Sequence, residues 1–149
     1  YPVNQPAAYW AAFYHDYIYL AGNKDNELKS AELAVSQLKE MGVETEIITQ
    51  VQKLIEATAQ HRTLKVDWMD AFLDADMAIL GSDEKTYQAY VANVRKEYQQ
   101  IPQFLFSMGR KKFLQHCLDT KRLFLTDWFF DRFETQARKN LAWELENIG

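Results

Sequence analysis

The chain of 149 residues contains a single cysteine, Cys117. One thiol excludes an internal disulfide and fits a reducing compartment. No stretch approaches about 18 consecutive apolar residues, so no transmembrane helix is expected. The opening "YPVNQPAAYW" has neither a basic-then-apolar leader nor an initiator Met. A basic excess is also missing: the formal net charge is −4 and the pI about 5.4. That argues against generic DNA binding, which rests on a cationic surface. It leaves room for a small phosphorylated substrate held by a few local Arg or Lys residues. Glycine and proline are scarce, at 5 and 3 residues, and no internal repeat or low-complexity segment interrupts the chain. No strand-like alternation is sustained.

What is present is ordinary for a globular protein: 48% hydrophobic and 26% charged residues. Aromatics at 14% argue against a disordered chain. The length suffices for one domain with a sizeable core. Helical periodicity runs throughout. A first helix is predicted from about Pro6 to Tyr19. A second follows the loop "LAGNKDNE", capped by Asp25 or Asn26 and stopped by Gly42. A third follows Thr45, and a fourth runs from about Val66 to Leu80, ended by Gly81. Ser82 is predicted to cap the fifth. Pro102 breaks the pattern before a sixth in "FLFSMGRKKFLQHCLD", where Cys117 reads as a buried structural thiol. Thr126 with Asp127 caps a last helix or helix pair. The fold class is all-α, a single-domain helical bundle. The aromatics of "LTDWFFDRFE" read as the packing face of the final helix, or alternatively as an interaction surface.

Polar residues inside this apolar pattern need an explanation, because burying them without a partner is costly. In "FYHDYIY", His15 follows Ala8, Ala11 and Ala12 at helical spacing, and Asp16 is next to it. His61 extends the apolar stripe of the third helix. In "FLDADMAIL", Asp74 shares a face with Asp67 and Asp70, which reads as a solvated edge. Asp76 shares a face with Met69, Phe72, Leu73, Ile79 and Leu80, and reads as the inward carboxylate. Three helices would thus each aim an ionisable group at a core. Mixed imidazole and carboxylate donors suit a borderline divalent cation. A satisfied core histidine or an ion-paired aspartate is the plainer reading of each alone.

With "YHD", a later inward His and "LDAD", the sequence resembles the HD-domain superfamily of metal-dependent phosphohydrolases. It is most similar to a branch of unassigned substrate. The likeness covers nearly the whole chain, through "FYHDYIY", "DNELKSAELA", "LIEATAQH", "FLDADMAILG", "YVANVRKEY", "GRKKFL" and "ARKNLAWEL" in that order. The resemblance implies an HD-type bundle over residues 1–149. His15 and Asp16 would be the HD pair and Asp76 the last Asp of the metal set, with His61 an added ligand or a phosphate contact. Glu27 would be a general base or would support the metal ligands; capping of the second helix explains it equally well. The superfamily's first His should precede the HD pair by some tens of residues, whereas this sequence has 14 residues there and none is His. Either an N-terminal helix or helices are therefore expected to be missing from it, or the protein lacks that ligand.

The activity so implied is hydrolysis of a small phosphorylated metabolite or nucleotide by a water that a divalent ion (Mn, Fe, Ni, Co, Zn or Mg) activates, with Asp16 and Glu27 as catalytic residues. Arg95, Arg110, Lys111 and Arg138 are the candidate phosphate contacts. Arg95 could instead pair with Glu97 or Glu84, and Arg138 with Glu134 four residues before it. A cytoplasmic location, no membrane partner and scope for a homo-oligomer complete the expectation. The alternative is a catalytically degenerate HD-fold module that binds a nucleotide or protein partner.

Overall fold

A computed structural model describes residues 5–149 of the chain. The described residues are all-α, with no strand among them. Seven helices follow one another: α1 (Pro6–Tyr14), α2 (Asn26–Glu40), α3 (Thr45–Thr58), α4 (Asp67–Met77), α5 (Glu84–Glu97), α6 (Gln103–Asp119) and α7 (Asp127–Asn147). A 3-10 turn, Ala78–Gly81, continues α4. No described helix is long and apolar enough to cross a membrane. Contacts divide the chain into two compact units, Tyr1–Leu73 and Asp74–Gly149, and the division falls within α4.

The first unit packs α1 and α2 against α3 and against each other. The buried residues of α1 are Ala7, Ala8, Ala11 and Tyr14; small residues let α1 lie close to its neighbours. α2 supplies Ala31, Ala34 and Leu38, and α3 supplies Ile48, Val51, Leu54 and Ile55. Leu38, Leu54 and Ile55 are completely buried, each contributing about 1.5–3 kcal/mol of burial energy. Gly42, at φ +72°, takes the left-handed position that ends α2, as its sequence position predicts. α1 is shorter than expected. It stops at Tyr14, so His15 is its C-cap and Asp16 lies beyond it.

In the second unit α7 packs on α6, on α5 and on the 3-10 turn. Its core includes Leu80, Tyr87, Leu114, Cys117, Phe124, Phe129 and Leu141. The aromatics of the last helix divide: Phe129 is buried and stacks on Phe133 and Phe124, Phe130 and Phe133 are half-buried, and Trp128 and Trp143 are at the surface. Gly81 is required for a reason unrelated to helix termination. A Cβ there would stand 2.7 Å from both the Cβ and the carbonyl oxygen of Phe133, so only glycine lets the turn lie this close to α7. Asn140 donates to the carbonyls of Leu80 and Ser82, 2.8 Å each, fixing the turn on α7. The cap of α5 is Asp83, not Ser82. Its carboxylate accepts from the Thr86 hydroxyl and N–H, which hold its pKa below the ordinary 3.8.

Candidate functional site

His15 stands at the end of α1, half-buried, with Asp16 exposed beside it. The His15 Nδ1 lies 3.0 Å from the Ala12 carbonyl oxygen. A carbonyl can only accept, so Nδ1 carries the hydrogen. That assignment turns Nε2, 3.4 Å from the Asp16 carboxylate, into a lone-pair donor whenever the imidazole is neutral. The edge of the Phe72 ring backs the imidazole, with centroids 6.3 Å apart. His15 borders the buried face of α1, made of Ala7, Ala8, Ala11 and Tyr14, and is itself half-buried.

The chain leaving Asp16 is held by α2. Ser30 accepts from the Ile18 N–H at 3.0 Å and donates to the Ile18 carbonyl at 3.3 Å. One turn earlier, Asn26 accepts from the Leu20 N–H and donates to the Leu20 carbonyl, 3.0 Å each. Two side chains of one helix thus act as a strand edge for residues 18 and 20. The sequence reading gave Asn26 only a capping role. Its signal was there: Asn26, Ser30 and Ala34 follow at four-residue spacing into the buried face. Glu27 is half-buried in the first turn of α2, where a carboxylate suits the helix dipole.

His61 is not on the face of α3. The helix ends at Thr58, and His61 sits beyond it with φ +49° and its N–H bonded to the Ala57 carbonyl at 2.9 Å. From the loop that follows, Asp70 of α4, itself buried, accepts the Thr63 hydroxyl at 2.5 Å and the Leu64 N–H at 2.7 Å.

The two aspartates of α4's last turn reverse their expected places. Asp74 is completely buried and Asp76 is exposed. Asp74 accepts from the Leu125 N–H at 2.7 Å and from the N–H and hydroxyl of Thr126 at 2.8 Å each. These donors precede α7, so the carboxylate anchors the entry to that helix.

The arginines singled out for phosphate are engaged inside the second unit. Arg110 forms a two-pronged ion pair with Glu144, at 2.6 and 3.0 Å, and Tyr87 donates to the same carboxylate. Burial, then the bond to Glu144, raises the Tyr87 phenol far above its usual range. Burial would lower Arg110, but the hydrogen bond to Glu144 and the charges of Tyr90 and Glu144 outweigh it and keep the guanidinium protonated. Arg138 donates to Glu134 and to the carbonyls of Leu118 and Thr120. Arg95 donates to Gln103, Tyr98 and Ile101, not to Glu97 or Glu84. Lys111 is exposed on α6.

His15 and Asp16 offer one imidazole nitrogen and one carboxylate, donor types that borderline divalent cations accept, but two such groups alone do not make a metal site. Among the described residues, no three or more His, Cys, Asp or Glu side chains are assembled into a metal-holding group. Comparison with protein-family models, with curated proteins and with solved structures finds no match to this chain.

Proposed function

We propose that this protein is a metal-dependent phosphohydrolase acting on a small phosphorylated metabolite or nucleotide, in the cytoplasm. The His15–Asp16 pair is the observation that carries this reading. With Nδ1 committed to the Ala12 carbonyl, a neutral His15 would hold its Nε2 lone pair 3.4 Å from an anionic carboxylate. Two electron-rich groups at that distance repel unless a proton or a metal cation lies between them. A backbone carbonyl on the far ring nitrogen is also the usual support of a metal-ligating histidine. When bound, a divalent cation supplies a water acidic enough to attack a phosphoester at neutral pH. His15 offers a fixed nitrogen and Asp16 an accessible anionic oxygen, while Ser30 and Asn26 hold the chain that leaves the pair. The HD-type resemblance adds His61, in the same unit, as a further ligand or phosphate contact.

A second reading, a binding module without turnover, is favoured by the engagement of Arg95, Arg110 and Arg138 with protein acceptors. Those guanidiniums already donate to protein acceptors, which leaves fewer donors for a phosphate. The test is hydrolysis of aryl phosphomonoesters, aryl phosphodiesters and a nucleotide panel by metal-stripped protein reloaded with Mn2+. Turnover that needs Mn2+ and is lost in Asp16→Ala supports the enzyme. Nucleotide binding without turnover supports the second reading, and the absence of both turnover and binding overturns both.

A further inference from the structure

The outward side of α1 is aromatic. Tyr9, Phe13 and Tyr17 follow at four-residue spacing, and each is more than half exposed, at 68%, 61% and 55%. They form one ridge: Phe13 stands one turn after Tyr9, and the Phe13 and Tyr17 rings lie 5.8 Å apart. The ridge is braced from below. The buried Tyr14 meets the Phe13 ring edge-on at 4.9 Å and the Tyr17 ring at 5.8 Å, and its hydroxyl donates to Gln37 of α2. Tyr19 and Leu20 continue the exposed apolar surface along the segment whose backbone Ser30 and Asn26 hold. Rings fixed in this way lose little freedom when a partner covers them.

Beside the ridge runs a row of short side chains, Ala8, Ala12 and Asp16, also at four-residue spacing. The C-cap His15 keeps right-handed helical angles, so the turn carries on to Asp16. Ala12 and Asp16 are exposed, and Ala8 closes the row at the edge of the buried face. Rows four residues apart are the ridges and grooves by which helices pack on one another. A ridge of rings next to a groove of short residues is complementary to itself when a second copy is turned round by a two-fold axis.

We propose that the outer face of α1 is the interface of a symmetric, antiparallel dimer of this chain. With the axis between residues 12 and 13, Phe13 of each copy lies over Ala12 of the other and Tyr17 over Ala8. The Tyr9 phenol meets the Asp16 carboxylate, a donor against an acceptor. The antiparallel turn sends the two Asp16 carboxylates to opposite ends, so like charges do not meet. A ring buries about 150–250 Å2 when fully covered, so Tyr9, Phe13, Tyr17 and the 45%-exposed Tyr19 offer about 450 Å2 per copy. Two copies, with Leu20 and the groove included, bury about 1,000 Å2, the lower bound of a specific interface, which sets the affinity in the micromolar range. The dimer is independent of the metal reading: a carboxylate that accepts a phenol on one oxygen leaves the other for a cation.

Sedimentation velocity with chelator present, from about 1 to 200 µM chain, reads the association. Wild type should pass from monomer to dimer across that range. Phe13→Glu and Ala12→Lys should each weaken self-association at least about 10-fold, because each sets a charge against apolar surface at the centre of the contact. An equimolar mixture of the two variants should recover a dimer: the introduced carboxylate and ammonium face each other, while the other half of the pair keeps Phe13 on Ala12. Both positions are exposed, so circular dichroism should be unchanged. Tyr9→Gln, at the rim, carries the test if either variant does not fold, and it too should weaken the dimer. A wild-type chain that stays monomeric at about 200 µM overturns the inference and leaves the ridge to a different protein. A dimer whose affinity none of these substitutions changes lies elsewhere on the chain and overturns it equally. Variants that lose the dimer and recover nothing on mixing overturn the antiparallel register.

Discussion

Replacing Asp74 by alanine should damage the second unit far more than replacing Asp76, two residues further on. The Asp74 carboxylate is completely buried and accepts three hydrogen bonds of 2.7–2.8 Å, two of them from backbone N–H groups at the entry to α7. Each N–H left unsatisfied costs about 1–3 kcal/mol, and bonds to a charged acceptor lie at the upper end of the usual range. The Thr126 hydroxyl can rotate toward another acceptor, so the two N–H groups dominate, and the expected loss is about 3–5 kcal/mol. Asn should recover little, because its amide NH2 would face one of the donors that the carboxylate now accepts. Asp76 is exposed, and its replacement should cost clearly less than that of Asp74. Urea unfolding followed by circular dichroism, with chelator present to remove any metal contribution, measures both. An Asp74→Ala variant within about 1 kcal/mol of wild type would refute this reasoning, as would an Asp76→Ala variant equally damaged.

Arg110→Met should cost about 3–5 kcal/mol in the same assay by leaving Glu144 buried without its cation, and the double variant with Glu144→Leu should recover most of it. A single variant as stable as wild type would release Arg110 for a role outside the core. Burial pushes the Cys117 thiol up to about 11 from 9.0, so its thiolate fraction at neutral pH is about 100-fold below that of an ordinary thiol. Modification by a thiol reagent should therefore await unfolding, and rapid labelling of native protein would contradict the packing described. Asp83 titrates below 3.8 because Thr86 bonds to its charged form. Its contribution is then complete above about pH 3.8 and lost as pH falls through the lower folded value. The stability gap between wild type and Asp83→Ala should accordingly close in strong acid, and a gap that persists there would show that the charge is not what caps α5.

The all-α class and most helix ends were legible because they depend on local chemistry. Gly42 stops α2 through its left-handed backbone, and Pro102 precedes α6. The polar residues were harder to read because helical spacing reports direction and not partners. Asp70 and Asp74 lie four apart and look like a solvated edge, yet each is buried and collects backbone N–H groups from a loop. Those loop partners, Leu64 for one and Leu125 with Thr126 for the other, cannot be read from helix periodicity. Asp76 was placed inward partly by Ile79 and Leu80, which lie in a 3-10 turn where the 3.6-residue period no longer applies. His15 and His61 were assigned to helix faces, but both stand past the helix ends, where side-chain direction is set by cap geometry. The adjacency of His15 and Asp16 was legible directly. The supports from Ala12, Asn26 and Ser30 required the fold.

Metal content tests the central claim most directly. Elemental analysis of purified wild-type protein and of Asp16→Ala, each as isolated and after reloading with Mn2+, is the measurement. The account predicts close to one equivalent of Mn, Fe, Co, Ni or Zn per wild-type chain and its loss in Asp16→Ala, with circular dichroism unchanged because Asp16 is exposed. Wild-type protein that retains no metal under either condition would contradict it.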